Sequence, residues 1–146
     1  MKTAYVAGRI SRQDEVKEVL DFLKTLGFVI TRDWTWTTEI KNESDAQEYR
    51  KAAYTSRSQK YAKEAEDDIR ASVTSDVFVI LSDELGSAMY VEFGAAIAAQ
   101  SLTGKPSHIY ASGPHLDRML HYQYPSVKWV NSVEEIAYDL SEQIQP

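Results

Sequence analysis

Asp76-Val77-Phe78-Val79-Ile80-Leu81 is a nearly continuous apolar run, and no other stretch of the chain restricts its fold so tightly. A strand with one solvated face alternates apolar and polar side chains. A strand without that alternation is covered on both faces, as in the middle of a parallel sheet. The surrounding pattern agrees. Thr3 to Ala7 is a short apolar run ending at Gly8, and Val16, Val19, Leu20, Leu23 and Leu26 then recur at helical spacing before Gly27, which reads as strand, loop and helix. Phe28 to Thr31 predicts a second strand, Ser107 to Ala111 a fourth and Val127 to Val130 a fifth. Arg32 to Lys41, rich in tryptophan and threonine, has no helical period and reads as a loop. Ser44 to Thr74 contains neither proline nor glycine and predicts a long or broken helix, with Ala62, Ala65, Ile69 and Val73 on its inner face and a polar, solvated first half. After the central strand an alanine-rich helix runs through Leu102, with Gly104 and Pro106 as its stop, and Ser132-Val133-Glu134-Glu135 opens a last helix with a capping-box pattern. Alternating strands and helices predict one doubly wound α/β domain across residues 1–146. Its five parallel strands take the flavodoxin-like order 2-1-3-4-5, with helices on both faces and ligand chemistry at the carboxyl ends of the strands.

A chain of 146 residues can close such a core without staples and is too short for two ordinary domains. Its formal charge of -6 argues against nucleic-acid binding, which needs a basic face to displace counterions, and leaves a small ligand as the expected partner. The absence of cysteine excludes disulfides, thiol nucleophiles and thiolate-bound zinc, and suits a reducing compartment. No leader-like stretch is visible and no segment approaches the ~20 apolar residues of a membrane span, so a cytoplasmic protein with no membrane contact is expected. His115 and His121 are widely spaced and lack a carboxylate partner, so no metal site is expected.

Three chemistry-bearing residues converge on the carboxyl edge of the predicted sheet. Asp68 precedes Asp76 by eight residues, which at about 1.5 Å per helical residue lifts it roughly 12 Å beside a strand about 17–20 Å tall. It flanks the buried face of its helix, whereas Glu66 and Asp67 point to water. Glu92 follows the loop after the central strand, in the first or second turn of the next helix. Tyr5 lies late in the first strand. The adjacent loop, Gly8-Arg9-Ile10-Ser11-Arg12, adds backbone donors, a hydroxyl and two guanidinium groups. Taken singly, each has an ordinary explanation: Glu92 as a helix-dipole partner, Asp68 as a surface acid, Tyr5 as a core residue, Arg9 and Arg12 as solvated charges. Trp34 and Trp36 alternate, so at most one of them faces a pocket.

The pattern resembles the nucleoside 2-deoxyribosyltransferase superfamily of transferases and deoxynucleotide N-hydrolases. The residues that carry the likeness are Tyr5-Val6-Ala7-Gly8-Arg9, Thr31-Arg32-Asp33-Trp34, Asp67-Asp68-Ile69 with Ser75 to Val79, and Val91-Glu92-Phe93-Gly94-Ala95-Ala96. The resemblance implies Glu92 as nucleophile, Asp68 as acid/base at the nucleobase and Tyr5 as the hydroxyl orienting Glu92. It implies neither a metal nor a redox cofactor. It places Gly8, Arg9, Ser11, Arg12, Asp33, Trp34, Gly86 and Ala88 around a nucleoside or nucleotide. Asp117-Arg118-Met119-Leu120-His121 looks like the late loop that in this superfamily reaches a neighbouring subunit's site, so Asp117, Met119 and His121 are expected in a partner's pocket and the chain is expected to be at least a homodimer. Two positions depart from the pattern: Ala88 and Tyr90 stand where glycine is common, and Asp117 where asparagine or serine is. Asp117 would accept from a sugar hydroxyl and repel a phosphate, while Arg9 and Arg12 pull the other way, and the balance leans to nucleosides over 5′-monophosphates. Helix-terminus donors and Tyr5 are expected to keep Glu92 ionised.

Other readings of the same architecture are a phosphorelay receiver using Asp83, a flavodoxin-like electron carrier, a silent nucleotide-binding module, and an N-glycosidase for ribonucleotides or an NAD-like dinucleotide. The receiver lacks an acidic pair after the first strand, and the carrier lacks a threonine-rich phosphate cradle.

Overall fold

Five strands pair in parallel in the order β2-β1-β3-β4-β5 in the computed structural model, which describes residues 2–35 and 40–144. They are β1 (Thr3–Ala7), β2 (Val29–Ile30), β3 (Val77–Leu81), β4 (His108–Ser112) and β5 (Val127–Val130). The helices are α1 (Gln13–Thr25), α2 (Glu43–Ala53), α3 (Gln59–Thr74), α4 (Ala88–Thr103) and α5 (Val133–Ile144). The expected flavodoxin-like order is therefore present, with β3 in the middle. Ala4 to Ala7 pair with Val77 to Ile80 on one side of β3, and His108 to Ser112 pair with Val77 to Leu81 on the other. No helix among the described residues is long and apolar enough to cross a membrane.

The period-2 alternation of β1 and β3 sends side chains into two cores. Tyr5, Ala7, Phe78 and Ile80 pack with Met89, Phe93 and Ala96 of α4 and Ala71 of α3. Ala4, Val6, Val77 and Val79 pack with Val16, Leu20 and Leu23 of α1 and Ile136 and Leu140 of α5. Burying each large apolar side chain on either face contributes ~1.5–3 kcal/mol, which is why the central run has no polar position to give up. Below the sheet, the Asp76 carboxylate accepts from the Thr3 amide (2.8 Å) and hydroxyl (3.0 Å), tying the start of β3 to the start of β1. Gly104 ends α4 in the left-handed region at φ 81°, where a glycine carries no steric penalty.

The proline-free stretch takes the broken form of the expected helix, because Asn42 and Ser58 each supply a side-chain cap, to the Asp45 and Tyr61 amides, with residues 54–58 between the helices. One detail differs from the sequence expectation. The inner face of α3 is not Ala62, Ala65 and Ile69, which are exposed. It is the row Tyr61, Glu64, Asp68, Ala71 and Ser72, turned inward because Asp68 meets Arg32 from the loop after β2, while Ser75, just past the helix, bonds Thr31 at 2.8 Å. Apolar spacing alone could not show this, because the inward row carries a polar pairing partner.

Candidate functional site

Tyr5 is wholly buried in the middle of β1 rather than late in it, and its hydroxyl donates to Glu92 Oε1 in the second turn of α4. The bond exists because β1 and β3 lie side by side and α4, entered from the loop after β3, packs on the face of both. Glu92 is only 8% exposed. Burial raises its pKa to about 8, with the Asp68 charge adding to the rise and the Tyr5 hydrogen bond and Arg32 opposing it. The expectation that local donors keep Glu92 ionised is therefore corrected: one hydroxyl does not offset the loss of water around a carboxylate, and at neutral pH the side chain is mostly the acid. Burial, first, and the Glu92 and Asp68 charges hold the Tyr5 phenol far above its ordinary range, so Tyr5 stays a donor.

Both residues open on a cavity of about 410 Å³ at the carboxyl edge of the sheet. Asp68 lines it from α3, as its height in the helix predicts, with its carboxylate bonded by Arg32 Nε. Burial raises the Asp68 pKa and the Arg32 bond works against that rise. Gly8, Arg9, Trp34, Gly86 and Ala88 also line the cavity. Trp34 is fixed there by its indole N–H, which donates to the Val6 carbonyl at 2.8 Å. Gly8 is required by close approach: a Cβ would stand 2.4 Å from Val16 Cγ2 of α1. Trp36 lies outside the described residues.

Ser11, Arg12 and Asp33 do not line the cavity. Asp33 caps its own turn, accepting from the Thr35 amide and hydroxyl. Arg12 turns to Glu15 and to Asp83, and Arg9, though it reaches the cavity, pairs with Asp83 at 2.9 Å and with Glu43 of α2. The expected pair of free guanidinium groups for a phosphate is thus already neutralised. Asp83 is 3% exposed. Burial pushes its pKa up, but the Leu85 amide and the two arginines more than offset that and hold it below the ordinary carboxylate range. A buried, doubly paired carboxylate is poorly placed to accept a phosphoryl group, which removes the geometric basis of the receiver reading.

Asp117, Met119 and His121 stay out of their own chain's cavity. The late loop is fastened beside it: the His115 amide donates to Ser82 Oγ at 3.0 Å, Arg118 bonds the Glu84 carbonyl and lies 5.3 Å over the Tyr90 ring, and Tyr122 is fully buried. Asp117 and His121 remain exposed and Met119 packs on the core. Tyr90 does not narrow the cavity, because its hydroxyl turns to the Asp83 carbonyl at 2.6 Å.

The sequence reading missed the wall built by α2 and α3. Tyr49, Arg50, Tyr54 and Glu64 line the cavity, as does Arg32, to which the Thr31–Trp34 motif assigns no role. Arg32 was legible in principle, since the residue after an edge strand's carboxyl end must arrive at this edge. The α2 side chains were not, because their polar helix carries no signal of what it covers.

Among the described residues no cluster of three or more His, Asp or Glu side chains is arranged to hold a metal. Comparison with protein-family models, curated proteins and solved structures finds no match to the chain. What the site offers is a buried carboxyl group with a permanent phenol donor and a second carboxyl group held by a guanidinium, in one semi-enclosed aromatic cavity.

Proposed function

We propose that the chain cleaves the N-glycosidic bond of 2′-deoxynucleosides and passes the sugar to another base or to water. The observation that carries this reading is the buried Glu92, held by Tyr5 in a cavity that Asp68 shares. The C1′–N bond breaks with its electrons leaving on the base, Asp68 gives that base a proton, and a Glu92 carboxylate oxygen bonds to C1′. Water or a second base then bonds to C1′ and gives its proton back to the Asp68 carboxylate, and the Glu92 ester bond breaks with its electrons returning to the Glu92 carboxylate. The resemblance described for Tyr5, Asp68 and Glu92 supports the same assignment. Neutralised Arg9 and Arg12 favour a 5′-hydroxyl over a 5′-phosphate. Incubation with each deoxynucleoside and deoxynucleotide, with and without a second free base, tests the reading by chromatography. Release of base from deoxynucleosides is expected; no release from any of them would leave a binding module, and faster release from ribonucleotides or dinucleotides would change the substrate class.

The high pKa of Glu92 favours one second reading, in which Glu92 is the acid that protonates the base and no glycosyl ester forms. The pH profile does not separate the two, because the nucleophile reading needs Asp68 protonated and so also loses kcat/KM at high pH. The bond formed does: a nucleophile leaves a glycosyl ester on Glu92 that a slow 2-fluoro nucleoside traps, and an acid leaves none. We expect the ester.

The proposal includes a second copy of the chain whose late loop, through Asp117 and His121, meets the 5′ end of the substrate. The exposed loop tip, with Leu120 at 80%, and the exposed apolar stripe of α4 at Val91 and Leu102 support it. Sedimentation at assay concentration is expected to give a dimer or larger. A fully active monomer would remove the shared site.

A further inference from the structure

Glu64 is the one acid on the inner row of α3 for which the proposed chemistry has no use. It is half-buried, lines the cavity, and makes no hydrogen bond or ion pair among the described residues. Its neighbours on the same helix are satisfied: Glu66 pairs with Arg70, Asp67 with Lys63 and Asp68 with Arg32. Arg50, a cationic residue of the same wall, bonds Glu43 at 2.7 Å and makes no ion pair with Glu64. A carboxylate on a cavity wall that no protein donor engages leaves its lone pairs to a ligand that supplies donors.

The surroundings indicate the ligand's shape. Tyr49, Tyr54 and Tyr61 meet edge to face, with ring centroids 5.9–6.5 Å apart and interplanar angles of 79–88°. Tyr49 and Tyr54 reach the cavity, and the Glu64 charge acts on both phenols. Tyr54 is 59% exposed, an apolar ring left in water beside a cavity. Aromatic faces beside a polar acceptor suit a flat heterocycle with N–H donors on its rim. Glu64 precedes Asp68 by one helical step, which sets it ~6 Å farther along α3, toward the far edge of a base whose near side Asp68 meets.

We infer that Glu64 reads the Watson–Crick edge of the base against the Tyr49–Tyr54 shelf, and that the site prefers guanine. Guanine places two N–H donors, at N1 and the 2-amino group, side by side to meet both carboxylate oxygens. Adenine and cytosine present one amino group beside an acceptor. Thymine and uracil present a single N–H flanked by two carbonyls, which a carboxylate repels. The inference rests on the proposed nucleoside substrate and deepens it.

Binding without turnover separates this inference from the catalytic reading. Calorimetric titration of the Glu92→Gln protein with deoxyguanosine and with thymidine is expected to show deoxyguanosine bound at least tenfold more tightly. Adding Glu64→Gln should cut that ratio by roughly ten- to a hundredfold, the range of one bidentate base contact. Tyr54→Leu should instead weaken both ligands together, leaving the ratio in place. Equal binding of the two nucleosides, or a ratio unmoved by Glu64→Gln in a protein that melts normally, overturns the inference even if the wild type releases base. A guanine preference that depends on Glu64 in a protein that releases no base upholds it and overturns the catalysis.

Discussion

Glu92→Gln is expected to abolish base release, by more than about a thousandfold, and at the same time to stabilise the folded protein at alkaline pH. The loss follows from removing the only atom that bonds to C1′. The gain follows from linkage. The ordinary glutamate value is 4.5, and burial raises it here to about 8. A group whose folded-state pKa is raised contributes fully below its unfolded value, and that contribution is lost as pH rises through the folded value. At pH 9 the wild type therefore carries an ionised buried carboxylate costing on the order of 4–5 kcal/mol relative to the unfolded chain. The amide carries no charge. It can still accept from Tyr5, and its unpaired N–H donors cost ~1–3 kcal/mol at any pH. Melting curves should thus show the variant near or below wild type at pH 5 and above it at pH 9, by several degrees. A variant whose Tm relative to wild type does not change with pH would mean Glu92 is not buried as a neutral acid. Covalent trapping with a slow 2-fluoro nucleoside completes the test, because label on another residue would sink the nucleophile assignment.

That residue was legible before any fold was known, and the reasons show where such reading stops. The uninterrupted run at β3 forces a central parallel strand, a parallel sheet puts its chemistry at the carboxyl edge, and Tyr5, Glu92 and Asp68 follow by counting residues along strands and helices. Height along an element is arithmetic. Choice of partner is not: Arg9 and Arg12 look like free anion ligands until Asp83 is seen buried between them, and Asp83 looks available for the same reason. Helix α2 is the opposite case. Its polar residues suggested a solvated surface, yet Arg9 pairs with Glu43 and Glu43 with Arg50, and this relay accompanies Tyr49 and Tyr54 on the cavity wall. A charged helix that closes a polar cavity has no apolar stripe to announce it.

Asp68→Asn is expected to lower kcat/KM for natural deoxynucleosides by ~10²–10⁴, the usual contribution of a positioned acid, while sparing a nucleoside whose base leaves readily. The environment of Asp68 suits that role. Burial raises its pKa and so favours the protonated form, while the Arg32 bond restrains the rise and gives the carboxylate a partner once the proton has gone. Asparagine keeps the shape and can still accept from Arg32, so the fold should survive, but it has no carboxyl proton to transfer. Losing the Asp68 charge also removes one of the influences that raise the Glu92 pKa. With no acid left to deprotonate, the variant's residual activity should follow Glu92 ionisation alone, rising with pH and levelling below about 8. Dependence on the leaving group is what separates chemistry from placement. A residue that only positions the substrate would cost natural and activated nucleosides alike; equal losses for both substrates would reassign Asp68 to binding.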